Sequence, residues 1–287
     1  MSAVTPDEES VLFDAGTDGV GLITLHRPER RNAWNPGLER RFYQVLDAAE
    51  RDPLVRACVL TGAGRSFCPG VDSQRLDNLA GSPLDLSGRR SPSFTLAFRK
   101  PLIAAINGAC AGFGLVQALM CDIRFAARGA KLSTSFARRG LAGEYGVTWL
   151  LPRLIGPERA LDLLLSGRVF DADEALALGL VSRVVEPDAL AEAARAYARD
   201  IAANCSPTSM AVIKHQVLTD LDADYETGMR RAYRVMTRLA VGPDFREGMD
   251  SYVQKRAPRF PALPDNLRPA EITGADTPAL DIDPAKP

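Results

Sequence analysis

Two glycine-punctuated turns, each directly after a short apolar run, are the sequence features most able to do chemistry. In residues 101–122, Gly108, Gly112 and Gly114 lead into an apolar segment of helical length. The first N–H groups of a helix have no intrahelical acceptor and carry the positive end of the helix dipole, so this turn can hold an anion. No Gly-Lys-Ser/Thr ending is present, which argues against a nucleotide phosphate and leaves an enolate oxygen as a candidate.

A second turn of the same kind follows the β-rich run at residues 56–61 and contains Gly62, Gly64 and Gly70. Glycine at such positions permits tight backbone turns. Two strand-then-turn units can direct two backbone N–H groups at one point, which is the minimum for an oxyanion hole. The pair of turns therefore predicts a site that stabilises negative charge as it develops during a reaction.

Other kinds of chemistry have little support in the residue types. The two histidines, His26 and His215, lack neighbours at metal-ligand spacing, so we expect no metal site. Five scattered cysteines without CxxC pairs indicate buried reduced thiols. A formal net charge of -1, with no leader segment and no apolar run of membrane length, predicts a cytoplasmic protein that binds neither nucleic acid nor membrane.

Strand and helix patterns alternate through the first two hundred residues and predict an α/β fold that positions the two turns. One predicted helix buries the following face: Leu38, Phe42, Val45, Leu46 and Ala49. Another has Asp171 as its N-cap, Glu174 as the capping-box partner and Gly179 as its end. Beyond Ala189 the periodicity is wholly helical, and packing of these helices within one chain stays open at this point.

Six segments, in register over about residues 10–260, resemble the crotonase family of enoyl-CoA hydratases and isomerases. They are LITLHRPERRNAW, VLTGAGRSFCPGVD, PLIAAINGACAGFG, MCDIRFA, LPRLIGPERALDLLLSGRVFDADEALALGLV and EGMDSYVQKRAPRF. The resemblance implies a crotonase-like ββα spiral core with an acyl-CoA site over residues 1–200. It also implies a C-terminal all-helical extension over residues 201–260 that forms a homotrimer or a dimer of trimers. Residues 261–287 are predicted to be an extended or disordered tail.

The resemblance places the two oxyanion donors on the backbone N–H groups of Val71 and Phe113. The two glutamates of the family's hydratases fall on Val116 and Phe136, neither of which can transfer a proton. Glu144 matches the catalytic glutamate of peroxisomal-type isomerases of the family. Apolar neighbours would raise the pKa of its carboxyl toward the range useful for proton transfer, which we state as a hypothesis.

Resemblance also assigns the coenzyme A contacts. The segment from Arg27 to Ala33 matches the family's coenzyme A turn, so we assign Arg30, Arg31 and Ala33 to this role, together with Gly70. Lys255 matches a C-terminal lysine that reaches the coenzyme A phosphates. Coenzyme A is part of the substrate, and no separate cofactor is expected.

One carboxylate suits double-bond isomerisation, because a single base can remove the α proton and return it at the γ carbon. The sequence therefore predicts β,γ to α,β isomerisation of an acyl-CoA thioester, with Glu144 as the proton carrier and an enolate held by the oxyanion hole. The alternatives are an enoyl-CoA hydratase that uses Glu144 and water, an acyl-CoA hydrolase, and an RNA-binding homologue. An RNA-binding homologue is expected to carry a lysine-rich helix, but the predicted helix over residues 37–51 contains no lysine.

Overall fold

The computed structural model describes residues 9–72 and 90–275, in which short strands and helices alternate before a purely helical part. The strands are β1 (Val11–Ala15), β2 (Val20–Leu25), β3 (Ala57–Gly62), β4 (Ser66–Cys68), β5 (Leu102–Ile106), β6 (Ala109–Ala111), β7 (Ile123–Ala127), β8 (Lys131–Ser133), β9 (Val169–Asp171) and β10 (Arg183–Val185). The first helices are α1 (Pro36–Arg51), α2 (Phe94–Ala97), α3 (Phe113–Met120), α4 (Val147–Ile155), α5 (Pro157–Ser166) and α6 (Ala172–Ala177). The later helices are α7 (Leu190–Asn204), α8 (Pro207–Asp220), α9 (Tyr225–Leu239), α10 (Pro243–Gln254) and α11 (Pro269–Thr273). The predicted α/β class with a helical C-terminal part is confirmed.

Consecutive strands are divided between two sheets. The larger sheet has the order β1-β2-β3-β5-β7-β10 and is parallel except for the β1–β2 pair. The smaller sheet has the order β4-β6-β8-β9 and is parallel except for β8–β9. The pairs β3–β4, β5–β6 and β7–β8 each give their first strand to the larger sheet and their second to the smaller one. Because parallel neighbours need crossover connections, the chain winds in successive ββ turns that agree with a spiral core.

Helices pack against the larger sheet, which explains why its strands are apolar on both sides. Helix α1 begins at an N-cap, Asn35, whose side chain accepts the Leu38 N–H at 2.8 Å. It buries the predicted stripe, with each side chain at most 1% exposed: Leu38, Phe42, Val45, Leu46 and Ala49. Helix α7 packs a second row against β2, β3, β5 and β7: Leu190, Ala194, Ala198 and Ala202. Because α7 continues to Asn204, the core runs past the predicted boundary at residue 200.

The predicted cap at the start of α6 is present, but its partner has another role. The Asp171 carboxylate accepts the Glu174 N–H at 3.0 Å, as an N-cap does. The Glu174 carboxylate, predicted to complete a capping box, accepts from the Arg168 guanidinium at 3.0 Å. An ion pair with a neighbouring strand end has therefore taken the side chain that local sequence assigned to the cap.

The first part of the predicted tail is ordered and packed. Arg99 donates to the backbone carbonyls of Pro264 and Leu267 at 3.1 and 2.9 Å, and α11 packs against α8 and α9. Thr273 is fully buried, with its Oγ1 3.2 Å from Nδ1 of His215. The groups that accept from Arg99 are main-chain carbonyls, which leave no side-chain pattern in the tail. Residues 276–287, predicted to be extended or disordered, lie outside the described residues.

The sequence predicts that the cysteines are buried reduced thiols and that the chain holds no membrane-spanning segment. All five cysteines are free thiols; Cys205 is half-buried and the other four are buried, and burial raises the pKa of Cys58, Cys68 and Cys121 to about 12. Within residues 9–72 and 90–275, none of the helices combines the length and apolar character needed to cross a membrane.

Gly114 in α3 is a test of how tightly this helix must approach β4. A Cβ at residue 114 would lie 2.1 Å from the Cys68 carbonyl oxygen, whereas a Cβ at Gly228 in α9 would meet nothing closer than 3.8 Å. We expect Gly114→Ala to lower the free energy of unfolding by about 1–3 kcal/mol or more through overpacking. Gly228→Ala should raise the free energy of unfolding by about 0.5–1 kcal/mol, because alanine is the better helix former. Urea denaturation of both variants measures the difference, and equal effects would contradict the close approach.

Candidate active site

A cavity of about 410 Å³ opens where the ends of β4 and β6 meet the loop before α4. Its lining contains seven of the eight residues predicted to form the site: Arg30, Arg31, Ala33, Gly70, Val71, Phe113 and Glu144. Segments far apart in sequence therefore meet at one place.

Val71 lies at the end of the glycine turn that contains Gly70, and its main chain is fixed by Trp34. The Trp34 N–H donates to the Gly70 carbonyl at 2.8 Å, and the Asp72 N–H donates to the Trp34 carbonyl at 2.9 Å. In such a parallel bridge the residue between the two bonded neighbours turns its own N–H to the other side. The Val71 N–H therefore faces away from Trp34.

Phe113 is the first residue of α3, so its N–H has no acceptor within the helix. The two glycine turns touch here: a Cβ on Gly70 would lie 3.1 Å from the Ala111 carbonyl oxygen and 3.8 Å from the Phe113 nitrogen. Gly70 has a φ of 111°, a left-handed region that favours glycine. The turns predicted to supply two N–H groups to one point are thus adjacent.

Glu144 lies in the loop between a single 3-10 turn (Ala137–Arg139) and α4. Its carbonyl accepts the Val147 N–H at 3.1 Å, while Gly146 occupies the N-cap position of α4. The carboxyl is half-buried at the cavity, and this burial raises its pKa above the ordinary value of 4.5. Within the described ranges, no cation or hydrogen-bond donor contacts this carboxylate.

The positions that hold glutamates in the family's hydratases are apolar here. Val116 is fully buried in α3, and Phe136 is 5% exposed and lines the cavity. Neither position therefore supplies a carboxylate to the cavity.

The turn assigned to coenzyme A is held by a buried carboxylate. Asp72 lies 3.4 Å from Arg27 and 2.9 Å from Arg30, with its side chain 7% exposed. Arg31, at a left-handed φ of 53°, is exposed on the same lining. Asp72 thus has a structural role, and it holds one of the arginines assigned to the ligand.

Lys255 is the predicted site residue that the structure does not bring to this cavity. It follows α10, has a φ of 53° and is exposed, and it is absent from the lining of the cavity. Its assignment to the coenzyme A phosphates stays a prediction. Among the side chains that the structure describes, no three His, Cys, Asp or Glu groups come together as a possible metal site.

Sequence reasoning missed one residue of the cavity lining, Arg139, and one residue next to it, Trp34. Arg139 is an exposed lining residue whose guanidinium donates to the Ser135 carbonyl at 3.2 Å. Trp34 fixes the Val71 turn through its main chain. Arg139 precedes Glu144 by five positions, a spacing that carries no chemical signal by itself, and the Trp34 bridge depends on a contact across the fold.

Comparisons with known proteins identify the family. A family model described as enoyl-CoA hydratase/isomerase matches residues 15–262. The chain is 36% identical over 252 residues to 1,2-epoxyphenylacetyl-CoA isomerase from Escherichia coli (strain K12), covering 84% of this chain and 95% of that protein. It is 38% identical over 247 residues to (E)-benzylidenesuccinyl-CoA hydratase from Thauera aromatica, again covering 84% and 95%.

Solved structures show the same fold. The crystal structure of a probable enoyl-CoA hydratase/isomerase from Mycobacterium abscessus matches with a TM-score of 0.81 at 31% identity, over 88% of this chain and 99% of that chain. An enoyl-CoA hydratase from Mycobacterium marinum is 52% identical with a TM-score of 0.65, over 74% and 98%. The predicted crotonase-like fold is confirmed, and the chain belongs to the enoyl-CoA hydratase/isomerase, or crotonase, family.

Proposed function

We propose that this enzyme moves the double bond of an acyl-CoA thioester from the β,γ to the α,β position. The N–H groups of Val71 and Phe113 bind the thioester oxygen, and the Glu144 carboxylate removes the α proton. The electrons of the broken C–H bond form an enolate, whose charge the two N–H groups stabilise. The protonated Glu144 then returns the proton at the γ carbon: the β,γ π electrons form the new C–H bond, the enolate electrons form the α,β double bond, and the thioester carbonyl is restored. No atom is gained or lost.

The observation that carries this proposal is the state of the carboxylates at the cavity. Glu29 and Asp72 also line it, but both are engaged with other groups, and Asp72 is paired with two arginines. Glu144 has no such partner in the described part of the chain, and burial alone raises its pKa. A carboxyl with a raised pKa can both accept and return a proton near neutral pH.

Hydration is the second candidate, because relatives at this level of identity include a hydratase. The same carboxyl would have to activate water at the β carbon and also protonate the α carbon. Two assay classes separate the reactions: β,γ-unsaturated acyl-CoAs report isomerisation, and α,β-unsaturated acyl-CoAs in water report hydration. Conversion of the second class alone would overturn the isomerase proposal.

The remaining assignments follow from the family resemblance. Arg30, Arg31, Ala33 and Gly70, which line the cavity, bind the coenzyme A moiety of the substrate, and Lys255, which lies outside the lining, reaches its phosphates. The C-terminal helices form the contacts of a homotrimer or a dimer of trimers. The reaction itself needs no metal or redox group, because it moves one proton and rearranges the electron pairs of the conjugated system without changing the oxidation level of the substrate.

Replacing the proton carrier by its uncharged isostere tests the mechanism. Glu144→Gln should lower kcat for isomerisation by about 10²- to 10⁴-fold, the usual contribution of a positioned acid-base group. Binding of the acyl-CoA, measured by calorimetry, should change little because the amide keeps the shape of the site. Glu158→Gln, the same change at an exposed residue of α5, is the matched control and should keep full turnover. Near wild-type turnover by Glu144→Gln would exclude it as the proton carrier.

The pH dependence of isomerisation should report Glu144 directly. The reaction begins with the carboxylate, so the rate falls as the pH is lowered through its pKa. Because burial raises that pKa, the acid limb of kcat/KM should lie above pH 4.5. Circular dichroism over the same range checks that the chain stays folded. A limb at or below pH 4.5 in a folded enzyme contradicts the assignment.

A further inference from the structure

Three aromatic rings pack in a continuous chain next to the cavity. The ring centroids of Trp34 and Phe113 are 4.8 Å apart at an interplanar angle of 61°, and those of Phe113 and Tyr145 are 4.6 Å apart at 76°. Both contacts are edge-to-face, a geometry that aromatic pairs prefer. Phe113 also lines the cavity itself.

Each ring belongs to a segment that carries one of the three chemical groups of the site. The main chain of Trp34 bonds on both sides of Val71. Phe113 supplies the second N–H from its own backbone, and Tyr145 directly follows Glu144. The packed rings therefore connect the segments that carry both oxyanion donors to the segment that carries the proton carrier.

The Trp34 end of this chain is fixed in the core. Trp34 Nε1 donates to the Glu39 carboxylate at 3.0 Å, and the two residues are 1% and 5% exposed. The Trp34 ring also meets Phe42 of α1 edge-to-face at 5.3 Å. Buried packing on two sides leaves the indole with little freedom to turn.

The Tyr145 end lies on strained backbone. Tyr145 has a φ of 55°, in the left-handed region that aromatic residues rarely occupy. Such a conformation persists only where the surrounding structure holds it, and it occurs often in active-site segments. The contact with Phe113 is a packing interaction that holds this residue, and with it the adjacent Glu144.

We propose that Trp34 and Tyr145 are positioning residues, which act through Phe113 to set the Glu144 carboxylate opposite the two oxyanion N–H groups. The inference rests on the isomerisation proposed above. Small losses of alignment between a bound reactant and a catalytic group cost rate rather than binding. The expected signature is therefore a lower kcat at a nearly unchanged KM.

The first experiment compares two changes at Tyr145 with a matched control. Tyr145→Leu removes the ring and should lower kcat by about 10- to 100-fold with KM within about twofold, whereas Tyr145→Phe keeps the ring and should restore most of the rate. Tyr197→Leu is the control, because Tyr197 is also half-buried and forms an edge-to-face pair with Phe125, at 5.7 Å and 61°, in the packing of α7 on the sheet. It should lower Tm as Tyr145→Leu does, yet leave kcat unchanged.

Two further readouts separate positioning from general loss of stability. We expect Tyr145→Leu to loosen the segment that holds Glu144 half-buried, so the acid limb of kcat/KM should move to lower pH in this variant and stay in place in Tyr197→Leu. At the other end, Trp34→Leu should reduce the ultraviolet absorbance of the enolate formed by bound acetoacetyl-CoA, a probe of the oxyanion donors. Glu144→Gln should leave that absorbance in place.

The outcomes separate a failure of the proposed isomerase function from a failure of the positioning role. If the wild-type protein converts none of the unsaturated acyl-CoAs, the proposed function itself fails. If the wild type is active and Tyr145→Leu keeps both its kcat and its acid limb, the positioning role is wrong while the isomerase proposal stands. An equal loss of kcat in Tyr145→Leu and Tyr197→Leu would also overturn the positioning role.

Discussion

The contact between the two glycine turns is the constraint on which the rest of the site depends. Two peptide N–H groups can stabilise a developing charge only if they are fixed and have no internal acceptor, and an unpaired buried donor normally costs free energy. The two groups must also lie close together, and the fold brings the ends of β4 and β6 so near that a Cβ on Gly70 would lie 3.1 Å from the Ala111 carbonyl oxygen. The division of each ββ pair between two sheets places those ends side by side.

Two carboxylates at the same cavity show how the surroundings assign opposite roles to one chemical group. Asp72 is buried between two arginines and joins the Arg27–Arg30 turn to the glycine turn that carries Val71. Glu144 is half-buried without such a partner, and burial raises its pKa. A carboxyl with a raised pKa stabilises the fold only below its unfolded pKa, and that contribution is lost as the pH rises through the folded value. The half-buried position of Glu144 therefore costs stability at neutral pH.

Local sequence signals predicted the parts of the fold that local physics determines. The α1 stripe, the Asp171 cap and the two glycine turns depend on residues near one another in the chain, and all three are present. Contacts across the fold left no such signal. The Trp34 bridge to Val71, the Arg99 hydrogen bonds to tail carbonyls and the packing of α7 beyond residue 200 each join distant segments.

The residues at the two hydratase glutamate positions bear on which reaction one carboxylate can serve. Phe136 lines the cavity with an apolar ring, and Val116 is fully buried in α3. Apolar walls exclude water, which strengthens the hydrogen bonds to a developing enolate and raises the pKa of an adjacent carboxyl. A raised pKa lets the carboxyl hold the proton long enough to return it within the same complex. Enolate stabilisation serves hydration and isomerisation alike, so the number of proton-transfer groups decides between them. Hydration must activate water at the β carbon and protonate the α carbon, and the absence of carboxylates at Val116 and Phe136 therefore favours isomerisation.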